Sequence, residues 1–290
     1  MASDIQCIDK AQARLGEGPT WVAAEQALYW VDIHGATIHR FDPLTQDRRT
    51  FPAPCRIGSL VPRAAGGFAG GCEQGFFRVA AEFANFEIVL DPEPVLRGNR
   101  FNDGKVDPFG RLWAGTMDDA EEKASGTLYR LDPDWRCTSV DRGYKVPNGP
   151  AFSPDGRTMY HADSALRTLY RFELTAEGEV AGRSILTRFG PDDGHPDGMT
   201  TDSDGCLWIA FWDGWCVRQL SSDGDVLRVI DMPVQRPTSC AFGGTQLDTL
   251  FVTSARAGLD STALAGQPDA GGLFSIADLA TGLPATPFAG

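Results

Sequence analysis

Hydrophobic positions along this chain fall in short runs in which aromatic or aliphatic residues alternate with polar ones. Three runs directly follow a glycine-containing turn, in "DPFGRLWAGTM" from residue 107, "SPDGRTMYHADS" from 153 and "DSDGCLWIAFWDG" from 202. Alternation with a period of two predicts β-strands, and helical periodicity is nearly absent. The pattern therefore predicts an all-β chain of short strands joined by tight turns.

These units of turn and strand repeat along the whole sequence. Weaker copies begin at residues 23, 64 and 243, and each of the six units contains one apolar anchor residue. The anchors are Tyr29, Phe68, Trp113, Tyr160, Trp208 and Phe251, spaced 39 to 48 residues apart. Six repeats of this length predict one domain over residues 1–290, a six-bladed β-propeller with four antiparallel strands per blade. We expect the N-terminal strand "IQCIDKA" to complete the last blade and close the ring.

Aspartate–glycine pairs in the repeats raise the question of which are turns and which belong to a site. Asp204-Gly205 and Asp155-Gly156 are typical of hairpin turns that end the innermost strand of a blade. Seven residues before the four clearest turns stands a polar residue. These residues are Glu17, Asn102, Asn148 and Asp197, and Ser59 and Thr238-Ser239 occupy the same region of the other two units. If the inner strands line a central channel, these side chains ring one of its mouths.

Asparagine and aspartate also cap strand ends, so each of these residues alone could be structural. Four such residues at equivalent positions around one axis favour a site instead. Carboxylates brought together repel one another, and a cation relieves that repulsion. The all-oxygen donor set suits Ca²⁺, Mg²⁺ or Mn²⁺ first, with Zn²⁺ or Fe²⁺ as alternatives. Water and substrate would complete the coordination shell.

Composition and charge narrow the choice of partner. The net charge is -13, which disfavours nucleic acid and anionic membranes as partners. The sequence contains neither an apolar leader nor a stretch long enough to span a membrane, so we expect a cytoplasmic protein. The seven cysteines are scattered, so we expect reduced thiols. We further expect a monomer that acts on a small molecule.

Several stretches resemble the senescence marker protein 30 (regucalcin)/gluconolactonase family of sugar lactonases. The resemblance extends nearly from end to end and is most specific around "NRFNDGKVDP". The stretches include "LGEGPTW" (15–21), "NRFNDGKVDPFGRLWAGTM" (99–117), "VPNGPAFSPDG" (146–156) and "HPDGMTTDSDGCLW" (195–208).

This resemblance implies a six-bladed propeller that hydrolyses sugar lactones with one divalent cation at the channel mouth. It places the family's cation ligands on Glu17, Asn148 and Asp197 and its substrate contacts on Arg100 and Asn102.

A further carboxylate that contacts substrate follows the "AGTM" motif in the family. The matching spacing falls on Ala120 here, so we predict that Glu121 takes this role, with Glu122 or Asp118 as alternatives.

The predicted chemistry is opening of an aldonolactone by water. The cation would polarise the carbonyl oxygen and lower the pKa of a bound water. Asp197 is the predicted general base, passing the proton from water to the ring oxygen. Arg100 and Asn102 would orient hydroxyl groups or stabilise the developing oxyanion.

Other functions stay open at this point. The chain could be a cation-binding regulatory protein of the regucalcin kind, or an inert interaction scaffold. Hydrolysis of esters or organophosphates at the same site is a further alternative. A serine hydrolase is not favoured, because no G-x-S-x-G motif is present. The sequence leaves open the lactone, the native cation and the role of His195.

Overall fold

Six four-stranded antiparallel sheets form the blades of a β-propeller in a computed structural model that describes residues 4–290. The predicted all-β fold with six blades is therefore confirmed. Ordered from the inner to the outer strand, the first three blades contain β2 (Gly16–Val22), β3 (Ala27–Asp32), β4 (Thr37–Phe41) and β5 (Arg48–Pro52); β6 (Val61–Pro62), β7 (Phe68–Cys72), β8 (Gly75–Val79) and β9 (Glu87–Leu90); and β10 (Asn99–Val106), β11 (Leu112–Asp118), β12 (Gly126–Leu131) and β13 (Cys137–Tyr144).

The remaining blades follow the same order, and the sixth takes its outer strand from the start of the chain. They contain β14 (Pro147–Phe152), β15 (Thr158–Asp163), β16 (Thr168–Leu174) and β17 (Val180–Arg188); β18 (His195–Thr201), β19 (Leu207–Trp212), β20 (Cys216–Leu220) and β21 (Val226–Asp231); and β22 (Pro237–Gly243), β23 (Thr249–Ser254), β24 (Leu273–Ala277) and β1 (Ile5–Asp9). Strand β1 pairs antiparallel with β24, with Ile5 opposite Ile276.

One short α-helix, α1 (Ser261–Gly266), lies between β23 and β24. Within the described residues, helices of the length and apolar character needed to cross a membrane are absent. All seven cysteines are free thiols.

The core lies between neighbouring blades, and all six anchor residues chosen from the sequence are buried in it. Every residue of β3, β11 and β15 is buried, because each blade packs against a neighbour on both faces. Aromatic pairs join adjacent blades. Trp208 meets Phe242 at 5.7 Å between ring centroids, and Trp21 stacks on Phe251 at 6.0 Å.

Turns close the inner strands at the face opposite the polar residues. Gly205 has a φ of +83° in the predicted Asp204-Gly205 turn, which glycine adopts without steric cost. The C-terminal segment crosses this same face. Ser203 donates its amide to Thr281 at 2.8 Å, and Ala289 donates to Gly110 at 2.9 Å. The two mouths of the channel therefore differ in what covers them.

Candidate active site

The pairing of each inner strand with its neighbour explains how the polar residues converge. The residue opposite each anchor defines one level of the channel, and the polar residue stands three positions before it. The opposing pairs are Thr20–Tyr29, Pro62–Phe68, Lys105–Trp113, Ala151–Tyr160, Thr200–Trp208 and Ala241–Phe251. Three positions earlier stand Glu17, Ser59, Asn102, Asn148, Asp197 and Thr238, all buried. Strands β2, β10, β14, β18 and β22 contact one another in succession around the axis.

An irregularity in strand pairing accompanies these residues and explains the glycines that follow them. The register shifts between Glu17 and Thr20 and between Asn148 and Ala151. Such a bulge bends the strand and re-aims its side chains. Gly149 has a φ of +86°, which disfavours any other residue. At Gly198, a Cβ would lie 2.1 Å from the Ser239 hydroxyl oxygen, so the close approach of two inner strands requires glycine there.

Three buried carboxylates at this mouth, those of Glu17, Asp103 and Asp197, are close enough to influence pKa values among them, one more than the two acids predicted. Burial and the nearby Asp103 raise the pKa of Glu17 to about 8. Burial, then Glu17 and then Asp103, raise the pKa of Asp197 well above its usual range. Negative charge at this mouth is thus only partly compensated, which is the electrostatic condition for binding a cation.

Hydrogen bonds at both ends of its amide fix the orientation of Asn148. Its Nδ2 donates to the Ser164 hydroxyl at 2.7 Å, and that hydroxyl donates to the Pro196 carbonyl at 2.6 Å. The Asn148 Oδ1 accepts from Asn102 Nδ2 at 3.1 Å. The donor end of the amide is committed to Ser164, and the oxygen, which has two lone pairs, can accept from Asn102 and still bind a ligand.

Arg100 and Asn102 form a second, coupled pair beside the acids. Arg100 Nη1 donates to Asn102 Oδ1 at 2.9 Å and to the Phe101 carbonyl at 3.1 Å. Its Nε donates to Asp119 Oδ1 at 2.8 Å. Within residues 4–290, Nη2 of Arg100 has no hydrogen-bond partner. These contacts fix the guanidinium group and use two of its three nitrogens.

Asp103 and Lys105 are site residues that the sequence reasoning did not single out. Asp103 accepts from Gly104 N at 2.7 Å and from Gly149 N at 2.9 Å, so it ties β10 to the bulge of β14. Lys105 donates to the Met199 carbonyl within the channel. Burial lowers the pKa of Lys105, while Asp103 acts to raise it. Both lie in the "NDGK" stretch. The presence of several polar residues on a predicted inner strand could have identified them as site residues.

The loop after β11 contains the acids from which one substrate contact was predicted. Asp118 accepts the amides of Glu122 at 3.0 Å and Lys123 at 3.1 Å, so its carboxylate closes the loop. Glu121 is exposed and close enough to Arg100 and Asp197 to influence the pKa of each. The acid that bonds to Arg100 is Asp119, which the spacing did not identify.

His195 lies at the rim with both ring nitrogens occupied. Nδ1 bonds to the Ser164 carbonyl at 2.9 Å, and Nε2 bonds to Arg167 Nη2 at 3.1 Å. A carbonyl only accepts and a guanidinium only donates, so these partners assign the proton to Nδ1. The imidazole is therefore engaged in fixing the rim.

The donor set fits a hard divalent cation. Glu17 and Asp197 supply carboxylate oxygens with little internal compensation, and Asn148 supplies an oriented amide oxygen. Within the part of the chain that the structure describes, groups of three or more acid, histidine or cysteine side chains positioned to hold a metal are absent. The predicted set differs in kind, because one of its three members is an amide.

Comparisons with known proteins place the chain in a family. Residues 15–256 match the family model described as SMP-30/Gluconolactonase/LRE-like region, and the protein belongs to this family. It is 38% identical to 6-deoxy-6-sulfogluconolactonase from Pseudomonas putida over 95% of each chain. It is 39% identical to pentonolactonase XacC from Haloferax volcanii over 93% of each. The crystal structure of a calcium-binding protein, regucalcin, from Agrobacterium tumefaciens has a TM-score of 0.95 at 27% identity, covering 99% of this chain and 98% of that one.

Proposed function

We propose that this protein hydrolyses a sugar lactone to the aldonic acid, using a divalent cation held by Glu17, Asn148 and Asp197. The observation that carries the proposal is the convergence of buried, poorly compensated carboxylates with an oriented amide oxygen beside the Arg100–Asn102 pair. The names of the two lactonase relatives support the reaction type.

When bound, the cation would polarise the lactone carbonyl as a Lewis acid and lower the pKa of a water molecule. Asp197 takes a proton from the attacking water as the water oxygen adds to the carbonyl carbon. The bond from that carbon to the ring oxygen then breaks, and Asp197 returns the proton to the ring oxygen. One water is consumed and one hydroxy acid is formed.

Arg100 and Asn102 orient the substrate. The Nη2 group of Arg100 can donate to a sugar hydroxyl or to the carbonyl oxygen as charge develops on it. Asn102 bridges Arg100 and Asn148, so it couples the substrate side of the mouth to the cation side. Glu121 is the acid we propose to contact a sugar hydroxyl.

A cation-binding regulatory role is the second candidate, because the solved structure of the Agrobacterium tumefaciens protein is described as that of a calcium-binding regucalcin. Cation binding alone does not require a guanidinium group held beside the acids. The Arg100–Asn102 pair therefore favours the enzyme.

The direct test is lactone opening after the protein is stripped with chelator. Acid release from a panel of neutral aldonolactones is followed with Ca²⁺, Mg²⁺, Mn²⁺, Zn²⁺ or anaerobic Fe²⁺ added singly, and spontaneous hydrolysis is subtracted. We expect one or more cations to restore turnover, and Asp197→Ala to lower it by at least about 100-fold. The matched control is Asp204→Ala, which changes the same residue type in an exposed turn and should leave turnover unchanged.

No lactone opening above background with any cation, together with calorimetric binding of a cation, would reject the enzyme in favour of the regulatory protein. Equal losses in Asp197→Ala and Asp204→Ala would remove the assignment of Asp197 as the base.

A further inference from the structure

Four charged side chains form a chain of ion pairs over the substrate side of the mouth. Arg100 Nε donates to Asp119 Oδ1 at 2.8 Å. Arg56 Nη1 donates to both oxygens of the same carboxylate, at 3.0 and 3.1 Å. Arg56 Nε donates to Glu73 Oε2 at 2.7 Å. Two separate segments, those of Arg56 and Arg100, thus meet on one carboxylate, that of Asp119.

The Asp119 side chain is not needed to shape its own loop. The neighbouring Asp118 accepts the loop amides of Glu122 and Lys123. The side-chain hydrogen bonds of Asp119 within residues 4–290 all come from the two guanidinium groups. Its pKa is lowered because those groups outweigh the opposing effect of partial burial. Its side chain therefore acts on Arg100 and Arg56, and not on the backbone.

The ion pairs also set the charge that a substrate meets. Two guanidinium groups and two carboxylates carry no net charge together, and the nearby Glu121 adds a negative one. The Arg100 side chain is only 5% exposed, and one of its edges is already bound to Asp119. An acidic group on the substrate would have to compete with that carboxylate for a shared cation.

We propose that Asp119 is a positioning and specificity residue that orients Arg100 and makes the mouth select uncharged sugar lactones over lactones bearing a carboxylate or sulfonate. The inference rests on the proposed function for its substrate class. The names of the two relatives suggest one substrate of each kind, a sulfonated hexonolactone and an uncharged pentonolactone. The inference predicts that this protein favours the uncharged kind.

The test compares wild type, Asp119→Asn, Asp119→Glu and Asp47→Asn on a neutral aldonolactone and on glucaro-1,4-lactone, which carries a carboxylate. Asp47 is a matched control, because it pairs with Arg49 on the outer part of the first blade. We expect Asp119→Asn to raise KM for the neutral lactone more than it lowers kcat. We also expect it to shift the ratio of kcat/KM toward the acidic lactone by about tenfold. Asp119→Glu should restore most of the wild-type ratio.

The dependence of the preference on salt concentration distinguishes an effect of charge from an effect of side-chain shape. The shift in Asp119→Asn should shrink at high ionic strength, because charge at a partly exposed mouth is screened. A shift that does not change with salt, an unchanged ratio in Asp119→Asn, or an equal shift in Asp47→Asn would overturn the inference.

Binding of two ring compounds that are not lactones, the neutral 1,5-anhydroglucitol and the acidic glucuronate, tests the proposed selection against acidic substrates without turnover. Calorimetry should show the same shift in preference between wild type and Asp119→Asn. If that shift is found while wild type opens no lactone, the proposed function is wrong and the proposed role of Asp119 in selectivity is supported. If wild type opens lactones and Asp119→Asn changes neither the kinetic nor the binding preference, the proposed role of Asp119 is wrong and the proposed function is unaffected.

Discussion

A buried aspartate lies near each end of strand β18, and the two differ in their hydrogen-bond donors. Asp202, at the turn end, accepts from Asp204 N at 3.1 Å, Cys206 N at 2.8 Å and the indole of Trp208 at 2.8 Å. At the mouth, the adjacent Gly198 amide acts to lower the pKa of Asp197, but burial and the neighbouring acids Glu17 and Asp103 outweigh it. The first carboxylate is satisfied by its own blade, and the second is not.

The aspartates near the two ends of strand β10 also differ in how many donors they accept from, although less strongly. Asp107, at its turn end, accepts from the Phe109 and Arg111 amides, the Arg111 guanidinium and the Trp113 indole. At the mouth end, Asp103 accepts two backbone amides, yet burial still raises its pKa. A buried acid with a full set of donors stabilises the fold, whereas one that lacks donors is available for a ligand.

The largest effect expected from this comparison is on stability. Asp202→Ala removes the acceptor of four donors, among them the Cys206 amide and the buried Trp208 indole. It should lower the free energy of unfolding by about 2–4 kcal/mol. Asp197→Asn should leave the stability of the cation-free protein unchanged or raise it, because it removes a carboxyl group whose ionisation burial and the neighbouring acids oppose. Urea unfolding at pH 8 in chelator measures both.

Asp204→Ala is the control for the turn, since its exposed side chain accepts nothing within residues 4–290. Should Asp197→Asn destabilise the cation-free protein as strongly as Asp202→Ala, the acids at the mouth are structural and the contrast between the two ends is lost.

The level of the mouth was predictable from sequence because it depends on local spacing. Each polar residue stands a fixed number of positions before an anchor's partner, and the bulge recurs in different blades, as at Glu17 in the first and Asn148 in the fourth. A count back from the turns therefore reached Asn102 and Asp197 without any knowledge of the other blades.

Contacts between blades were not predictable in the same way. Asp103 owes its position partly to Gly149 and Asp119 to Arg56, which are 46 and 63 residues away in sequence. No periodicity links such pairs. The loop that carries Asp119 follows no repeat either, so the sequence offered several neighbouring acids with nothing to rank Asp119 above them.

A smaller effect concerns how stability varies with pH. Burial, followed by the proximity of Asp103, raises the pKa of Glu17 from 4.5 to about 8, so the folded state holds a proton that the unfolded state releases. The stabilisation is present below pH 4.5 and is lost as the pH rises toward 8. Cation-free wild type should lose up to about 1.4 kcal/mol for each pH unit within this window. Unfolding in urea at a series of pH values should show a flatter profile for Glu17→Gln.

Glu87→Gln is the matched control, because Glu87 pairs with Arg78 in an exposed position on an outer strand. A saturating cation should also flatten the wild-type profile, since it replaces the proton at the carboxylates. An identical slope in wild type and Glu17→Gln would show that Glu17 is ionised in the cation-free protein, and the mouth would then resemble the satisfied turn end.

The smallest expected effect concerns the orientation of the Asn148 amide, the uncharged member of the proposed cation ligands. Ser164→Ala removes the acceptor that holds the Nδ2 of Asn148, so the amide is free to turn its oxygen away. One hydrogen bond of this kind contributes about 1 kcal/mol, so the cation Kd should rise about fivefold. Calorimetric titration of chelator-treated protein measures the change, and Ser164→Thr should restore binding. Ser153→Ala, which alters a serine at the turn end of the same blade, should leave the Kd unchanged. If Ser164→Ala binds the cation as tightly as wild type, the orientation of Asn148 is set by Asn102 alone, and the two asparagines rather than the serine prepare the amide ligand.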